Sequence, residues 1–527
     1  MKSVFGIDFG TSTSEIAVCT ESGVRVLSAP EGSVGPSVLA GKREIMPSML
    51  ALDEKGQLVV GWGAEAFAGD EERVAMEFKR LMGTDQIVKL GGQQLTPPQA
   101  AAFVLRELAG WAKQQTGQTV ERAVLSVPAN FSQKARNDTL EAARIAGIEV
   151  IRLVQEPTAA ALSYGVDKMQ SQETILVFDW GGGTLDVTVL KLDRGLFEVQ
   201  ASYGDPALGG KDFDEMLAQK VLDAFWEQNP EAFRELGIPV QRALLQRARI
   251  AKEKLSEEMQ ARIFLPAFAR SLQDVLDLDI AITREQLEEW MAPLLHRARA
   301  IVRGALEAAS IQAHHIDRVL LVGGTTYVPA VRRMLVDVLG REPVVGTSPD
   351  LAVCTGSAIL SGMLQGLLQG DELPVLIDVS PFGLGVKTLE PVGRQMMASY
   401  DALIEPNTPI PYQVTREYEL VTRSQHAVQI ELFQSQQANT RSLADAIDTG
   451  LSVRIPNIPP ASNREVHTLV ITFSYDANGV INLKGHIRQT GQQVHIVTDV
   501  RQIQKGSEQT LSLEELSNRW KTDTTGE

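Results

Sequence analysis

One short pattern occurs twice, far apart, and limits the fold more than any other feature of the chain. The first copy is Val4-Phe5-Gly6-Ile7-Asp8-Phe9-Gly10-Thr11-Ser12-Thr13-Ser14-Glu15-Ile16-Ala17-Val18, and the second is Ile175-Leu176-Val177-Phe178-Asp179-Trp180-Gly181-Gly182-Gly183-Thr184-Leu185-Asp186-Val187-Thr188-Val189. With Asp8 set on Asp179, Gly10 falls on Gly181, Thr13 on Thr184, Glu15 on Asp186 and Ile16 on Val187. Each copy reads as strand, tight turn, strand. Glycine lets the turn bend sharply and approach a ligand closely. The hydroxyls and amides of Thr11, Ser12 and Thr13 add donors that suit a phosphate. One such turn is common at hairpin tips. Two in one chain imply two related lobes whose turns close on a single phosphate chain from opposite sides.

At 527 residues the chain exceeds a single core, and about two to four domains are expected. A net charge of −16 argues against a general nucleic-acid or anionic-membrane binder. Cys19 and Cys354 cannot form a disulfide framework and lack metal-ligand spacing. The N-terminus lacks signal-peptide character, and the most apolar run, Ala358 to Leu368, is broken by Ser361, Gly362, Gln365 and Gly366. The expected location is the cytoplasm.

Residues 20–70 alternate short β-like runs with Gly/Pro turns. Residues 71–83 read as a helix containing Lys79, where a lysine is by default a solvated charge. A long helix is expected from Thr96 to about Gln115, with proline in its first turn. Strand Ala123–Val127 stops at Pro128, helix Ser132–Ala146 is closed by Gly147, and strand Val150–Val154 leads into Glu156-Pro157-Thr158 and an Ala-rich helix. From the second hairpin to residue 318 the reading is mostly helical, including Asp212–Gln228 and Pro239–Met259. Leu208-Gly209-Gly210-Lys211-Asp212 superficially looks like a phosphate-binding P-loop, but Asp205 stands where the first Gly belongs and Asp212 where Ser or Thr belongs. Strand Arg318–Val322 precedes Gly323-Gly324 and a helix, a good place for a ligand to meet backbone N–H groups. His314-His315 reads as loop.

Composition shifts at Gln365–Pro374. Beyond it come short alternating runs, Gly383–Thr388, Gln413–Thr422, Ala427–Phe433, Leu451–Ile455, Val466–Tyr475, Val480–Ile487 and Val494–Val500, separated by turn signals such as Asp476-Ala477-Asn478-Gly479. They predict an antiparallel β sandwich, followed by one short helix with Ser512-Leu513-Glu514-Glu515 as a capping box and fraying beyond Trp520. The expected divisions are 1–370, a linker at 371–378, a β domain at 379–500 and a tail at 501–527.

If the two turns grip a triphosphate, Asp8, Asp179, Asp186 and Glu156 lie beside about four further negative charges, and two like charges about 4 Å apart repel by roughly 4 kcal/mol even at an effective dielectric of about 20. The site therefore requires a metal–nucleotide complex, with Mg²⁺ held largely through water, and a basic side chain on the terminal phosphate.

At these residues the chain resembles the Hsp70 (DnaK-like) chaperones. The resemblance covers roughly residues 1–500 and rests on Gly6-Ile7-Asp8-Phe9-Gly10-Thr11, Lys79-Arg80-Leu81-Met82-Gly83, Val127-Pro128-Ala129, Glu156-Pro157-Thr158-Ala159-Ala160-Ala161, Phe178-Asp179-Trp180-Gly181-Gly182-Gly183-Thr184-Leu185-Asp186, Leu208-Gly209-Gly210, Val322-Gly323-Gly324 and Pro349-Asp350. It implies an α/β, actin-like (ribonuclease H-like) two-lobed ATPase followed by an all-β antiparallel sandwich, with ATP/ADP and Mg²⁺ as cofactors and K⁺ as a companion ion. By that resemblance Asp8 and Asp179 hold the metal's water shell. Thr11, Ser12 and Gly182 to Thr184 contact phosphates, Lys79 sits on the terminal phosphate, and Glu156, Thr184 and Asp186 line the site of the attacking water. Gly209-Gly210 and Gly323-Gly324 grip phosphate and adenosine, and Lys252, Ser256, Tyr327 and Asp350 belong to the adenosine side. Pro128 and Arg136 match an interlobe switch, and Arg152 and Asp378 a J-domain contact region. Val375, Leu376, Ile377 and Asp378 form the coupling linker. Phe382, Leu384, Val386, Leu389, Val428 and Ile430 form or flank a peptide groove. The implied partners are unfolded or extended polypeptides, a J-domain co-chaperone and a nucleotide exchange factor, with neither nucleic acid nor membrane.

Several positions depart from the family pattern. Arg249 and Glu253 differ on the adenosine helix, and Tyr327 stands where an arginine usually meets adenine; a tyrosine ring still stacks. Pro374 lacks an N–H and costs a ladder bond if the linker docks as an edge strand. Glu390–Pro411 reads as a lengthened loop, and the long helical lid is missing, so peptides are expected to be held briefly. Two rivals remain open: an actin-like ATP-binding scaffold whose β domain takes one dedicated partner, and a small-molecule kinase, which the β domain and apolar linker argue against.

Overall fold

In the computed structural model both copies of the repeat are antiparallel hairpins, Phe5–Phe9 with Thr13–Thr20 and Gln172–Trp180 with Leu185–Asp193. The structure describes residues 4–30, 43–67, 72–165, 168, 170–344, 348–367, 374–393, 395–461, 466–476, 481–497, 512–518 and 520. Each hairpin sits in a sheet of the same local plan. Phe5–Phe9 runs parallel to Arg122–Val127, and Gln172–Trp180 runs parallel to Arg318–Val322. The first sheet continues through Glu149–Gln155 on one side and Gly23–Val26 on the other; the second continues through Leu196–Asp205. Two lobes of related topology follow directly from the duplicated pattern.

The lobes meet through a third cluster of small and branched residues. It joins Val4, Val124 and Val154 of the first sheet to Ile175, Val177 and Leu190 of the second. Helices Glu156–Gly165 and Ala352–Leu364 cross there with their backbones in contact. A Cβ on Gly356 would run into the Ala159 carbonyl, and one on Gly6 into the Ser357–Ala358 backbone. Only glycine permits this approach.

The helices at Pro97–Thr116 and Gln133–Ile145 fall where their caps place them, with Thr96 and Ser132 as N-caps. Residues 71–83 do not form the expected helix. Val74–Met76 is a strand paired with Met49–Leu52, and Phe78–Leu81 is a single 3₁₀ turn. The break is at Glu77, held at φ 60°, which no helix tolerates. The second lobe is also less helical than expected. Strand Leu196–Asp205 and the hairpin Gln260–Arg270/Val275–Thr283 interrupt its helices. Ile263, Leu265, Leu278, Ile280 and Ile282 alternate inward along that hairpin, a period of two that marks strands.

Residues Val375–Ser380 form one strand shared by two domains. Val375, Leu376 and Ile377 pair in parallel with Leu196, Phe197 and Glu198, and Asp378, Val379 and Ser380 pair antiparallel with Ile410, Pro409 and Thr408. Pro374 costs no ladder bond, because the strand starts after it and the Val375 N–H reaches the Gly195 carbonyl at 2.9 Å. The expected boundary at 370 lies outside the described residues.

The β domain is a sandwich of two four-stranded sheets. One orders Gln395–Ile404, Gly383–Val392, Val428–Ser435 and Ile447–Ile455; the other orders Tyr412–Glu419, Thr468–Tyr475, Ile481–Ile487 and Gln493–Val497. The stretch Glu390–Pro411 is no loop; most of it is the second arm of a long hairpin with Leu389 opposite Ala398. The turn expected at Asp476–Gly479 lies largely outside the described residues, as does the chain beyond Trp520. The C-terminal helix Leu513–Asn518, opened by reciprocal Ser512–Glu515 capping bonds, rests on the first lobe, where Leu513, Leu516 and Trp520 join its core.

The crossing at Gly356 yields a direct prediction. Gly356→Val should destabilise the two-lobed first domain by more than the roughly 1–3 kcal/mol typical of overpacking, since backbone and not a movable side chain blocks it. Denaturant unfolding of the full chain, followed by Trp fluorescence, measures this as an earlier first transition.

Candidate functional site

The hairpin tips face each other across the cleft between the lobes. A Cβ on Gly183 would stand 2.8 Å from Thr11 Oγ1, and one on Gly182 would meet Ser12 Oγ. The turn Gly181–Thr184 is closed by a Gly181 N–H to Thr184 carbonyl bond at 3.2 Å. It is also backed by the second-lobe loops: the Gly210 and Lys211 N–H groups donate to the Gly181 and Gly182 carbonyls at 3.0 Å, and Thr325 Oγ1 donates to the Gly181 carbonyl at 2.8 Å. On the other side Ser14 Oγ accepts the Gly10 N–H at 3.2 Å and Ser48 Oγ donates to the Gly10 carbonyl at 2.9 Å, which fixes the turn carrying Thr11, Ser12 and Thr13. Two ion pairs hold the tips together: Arg80–Asp212 at 3.0 Å and Lys211–Glu77 at 2.6 Å. Arg80 also donates to the Gly183 carbonyl at 2.6 Å.

Beneath the tips the ionisable groups converge. Lys79 is only 4% exposed and donates to Glu156 Oε1 at 2.7 Å, with its ammonium 5.6 Å from the centre of the Phe9 ring. The lysine is thus a buried cation, contrary to its default reading. Ser126 Oγ donates to Asp8 Oδ1 at 2.6 Å, and the Asn130 side-chain amide donates to Asp186 Oδ1. Burial, then the neighbouring Glu156 carboxylate, pushes Asp8 and Asp186 each up to about 7. The same two causes, with Asp186 and Asp8 adding to them, raise Asp179 well above the carboxylate range. The expected set Asp8, Lys79, Glu156, Asp179 and Asp186 is therefore assembled in one buried place.

Glu15 was not foreseen as part of this set. Strand register puts it directly opposite Asp8, as Asp186 is opposite Asp179. It is 2% exposed, and burial, then Asp8, raises it well above its usual range. Its signal was in the repeat, where Glu15 aligns with Asp186. Arg80, Ser126 and Asn130 were likewise missed; none has a spacing that marks it.

Among the residues expected to take phosphate and adenosine, Gly209 packs on the Gly182–Gly183 backbone, and Gly323 takes φ 81° against Trp180. Tyr327 is 43% exposed, and its hydroxyl donates to Asp350 Oδ2 at 2.9 Å. Lys252 is committed elsewhere: it pairs with Asp214 at 2.7 Å and donates to the Gly210 carbonyl at 2.9 Å. Ser256 Oγ donates to the Lys252 carbonyl, and Arg249 pairs with Glu253 at 3.0 Å.

The expected coupling residues meet at the domain junction. Arg136 is buried beside Pro128 and donates to the Ala129 and Phe131 carbonyls at 3.2 and 3.3 Å. Burial raises Asp378 to about 6, against the pull of its own backbone neighbour Val379 and of Arg136 and Arg152. Gln155 Nε2 donates to the Val379 carbonyl, and the Gln133 N–H to Gln434 Oε1 of the sandwich.

A family model described as Hsp70 protein matches residues 84–524. The chain belongs to the Hsp70 family. Members of this family are ATPases that act as chaperones and bind ATP or ADP with Mg²⁺. The mixed α/β first part and the β sandwich of this Hsp70 agree with that membership.

The residues expected to form a peptide groove separate in the structure. Leu384, Val386 and Ile430 are sandwich core, closed off by the facing sheet, and Val428 packs half-buried against them. Phe382 is buried at the domain junction beside Phe131 and Arg136, in a small pocket that also includes Tyr475. Leu389 alone among them is open, 48% exposed, with Met396 and Met397 at 50% and 53% across the hairpin.

The raised acids give a pH test. The usual carboxylate pKa is near 4 and the folded value of Asp186 is about 7, so the folded chain binds the extra proton. Its contribution to stability is greatest at low pH and is lost as pH rises from about 4 to about 7. Asp186→Asn, which still accepts the Asn130 bond, should gain in melting temperature over wild type as pH rises from about 5 to about 8 in the absence of nucleotide. A constant difference across that range would contradict the burial.

Proposed function

We propose that this Hsp70 is an ATP-driven chaperone in which hydrolysis in the interlobe cleft is coupled, through Val375–Asp378, to binding and release of extended apolar polypeptides by the sandwich. The observation that carries it is the convergence of Lys79, Glu156, Asp179, Asp186 and Asp8 between two facing glycine turns, with the linker strand lying in the sheet of the second turn. The residues fit a Mg²⁺–nucleotide: the carboxylates outnumber Lys79, and Asp186 Oδ2 is buried without a partner. When bound, the ion supplies positive charge that lets these acids ionise. Asp8 and Asp179 are the residues that would hold it. Lys79 leaves Glu156 for the terminal phosphate and offsets the charge that develops there, and Glu156 and Asp186 orient the attacking water while Thr184 lines its site. Gly10 to Thr13, Gly181 to Gly183, Gly209-Gly210 and Gly323-Gly324 surround the phosphates and sugar, and the Tyr327 ring stacks on adenine.

On the sandwich, the open apolar side chains Leu389 and Met396, which strand alternation puts on one face of the hairpin, are the surface offered to clients, since methionine adapts to varied shapes. The short described helix after the sandwich lies on the first lobe, which suits brief holding of clients, and a J-domain protein acting at Arg152 and Asp378, with an exchange factor, sets the cycle in the cytoplasm. ATP favours the docked arrangement, ADP the separated one.

Two outcomes are expected. Lys79→Gln should keep ATP bound and abolish hydrolysis in a single-turnover assay, and unchanged turnover would remove Lys79 from this role. Peptide arrays probed with ADP and with ATP should show nucleotide-dependent binding of many apolar peptides, with Leu376→Asp erasing the nucleotide dependence; binding of one partner alone would favour the scaffold.

A further inference from the structure

The sandwich is attached to the ATPase at both of its ends, and to a different lobe at each. Its N-terminal end is the strand Val375–Ser380, paired into the second-lobe sheet. Past its C-terminal end the chain returns to the first lobe. There Leu513 and Leu516, three apart on one helical face, and Trp520 are 2%, 0% and 5% exposed. They fill a groove between the Pro97–Thr116 helix and the hairpin Val88–Leu90/Gln93–Leu95. The indole N–H of Trp520 donates to the Leu90 carbonyl at 3.1 Å, and its ring meets Phe103 edge-on at 6.3 Å. Arg106 pairs with Glu514 at 3.6 Å. Gly91, at φ 54°, turns the hairpin so closely that a Cβ there would stand 3.4 Å from the Trp520 ring. The contact has apolar anchors, a directed hydrogen bond, a rim ion pair and a capped helix, which together define a built docking surface.

We propose that this groove is a receptor for the chain's own C-terminal helix, and that the helix is a strap tying the far end of the sandwich to the first lobe. Residues 498–511 connect strap and sandwich, and at about 3.3–3.6 Å per residue they reach at most about 50 Å. The sandwich can then leave the junction while the strap stays seated. A second tether restricts its excursion and raises the effective concentration for redocking. Strap occupancy and linker docking are thereby linked, and each favours the other.

The test uses the full chain without nucleotide or peptide, so it stands apart from the chaperone reading. Hydrogen exchange is followed at the linker, 375–377, and at the junction, 133 and 434. Leu516→Asp and Trp520→Ala release the strap and should raise linker exchange about threefold to tenfold. An Arg106→Cys, Glu514→Cys pair, bridged by a reductant-cleavable bis-maleimide because these positions meet only through the ends of long side chains, locks it and should slow linker exchange below wild type, reversibly with reductant. Cys19 and Cys354 are both buried, so the engineered pair reacts selectively. Opposite responses of released and locked chains support the strap. Change confined to residues 88–106 in both would make the tail mere filling of the first lobe, and a cross-link formed between chains in a dimer would place the helix on a second copy; either result overturns the proposal.

Discussion

Buried negative charge between the lobes is the constraint on which the rest of the molecule depends. Glu15, Glu156, Asp179 and Asp186 are buried with Lys79, and Asp8 is partly buried beside them. Like charges near 4 Å apart repel by roughly 4 kcal/mol at an effective dielectric of about 20, and burial together with neighbouring carboxylates raises Asp8, Glu15, Asp179 and Asp186 above the usual carboxylate range. Lys79 is the cation set against them, held by Glu156 at 2.7 Å.

That charge is delivered by topology. The duplicated hairpin puts one acid at the strand end and a second opposite it in register, Asp8 with Glu15 and Asp179 with Asp186. The glycine turns then bring the two pairs together, while Gly6 and Gly356 let helix and sheet backbones touch where the lobes join. At that crossing small residues bring backbone onto backbone, and the branched side chains of the third cluster pack around the contact.

The sequence was legible where a local rule operates. Thr96 and Ser132 cap helices, alternation marks the sandwich strands, and the repeat marks the two lobes and the convergent acids. Reading failed where a single backbone angle or a distant contact decides. Glu77 at positive φ turns an apparent helix into strand and 3₁₀ turn. The strand Gln395–Ile404 hid in a supposed loop because its Met-rich, partly exposed residues show poor alternation. Spacing alone left Lys79 a solvated charge and only the resemblance put it in the cleft, since nothing nearby in sequence tells that Glu156 lies beneath it. Leu384, Val386 and Ile430 are apolar strand residues, and pattern alone cannot separate core from groove.

The shared strand Val375–Ser380 has a further consequence. Its hold on the second-lobe sheet spans three register pairs, Val375–Leu196 to Ile377–Glu198. At roughly 0.5–1.5 kcal/mol per hydrogen bond, such a ladder amounts to a few kcal/mol, the scale on which one ligand's preference for one of two states reverses their populations. A longer ladder would freeze the arrangement and a shorter one would not transmit it. Because side chains alternate along a strand, the ladder cannot slide by one residue without turning Leu376 outward. Docking is therefore all-or-none at this joint: a zipper of three teeth, short enough to open and too strictly registered to slip.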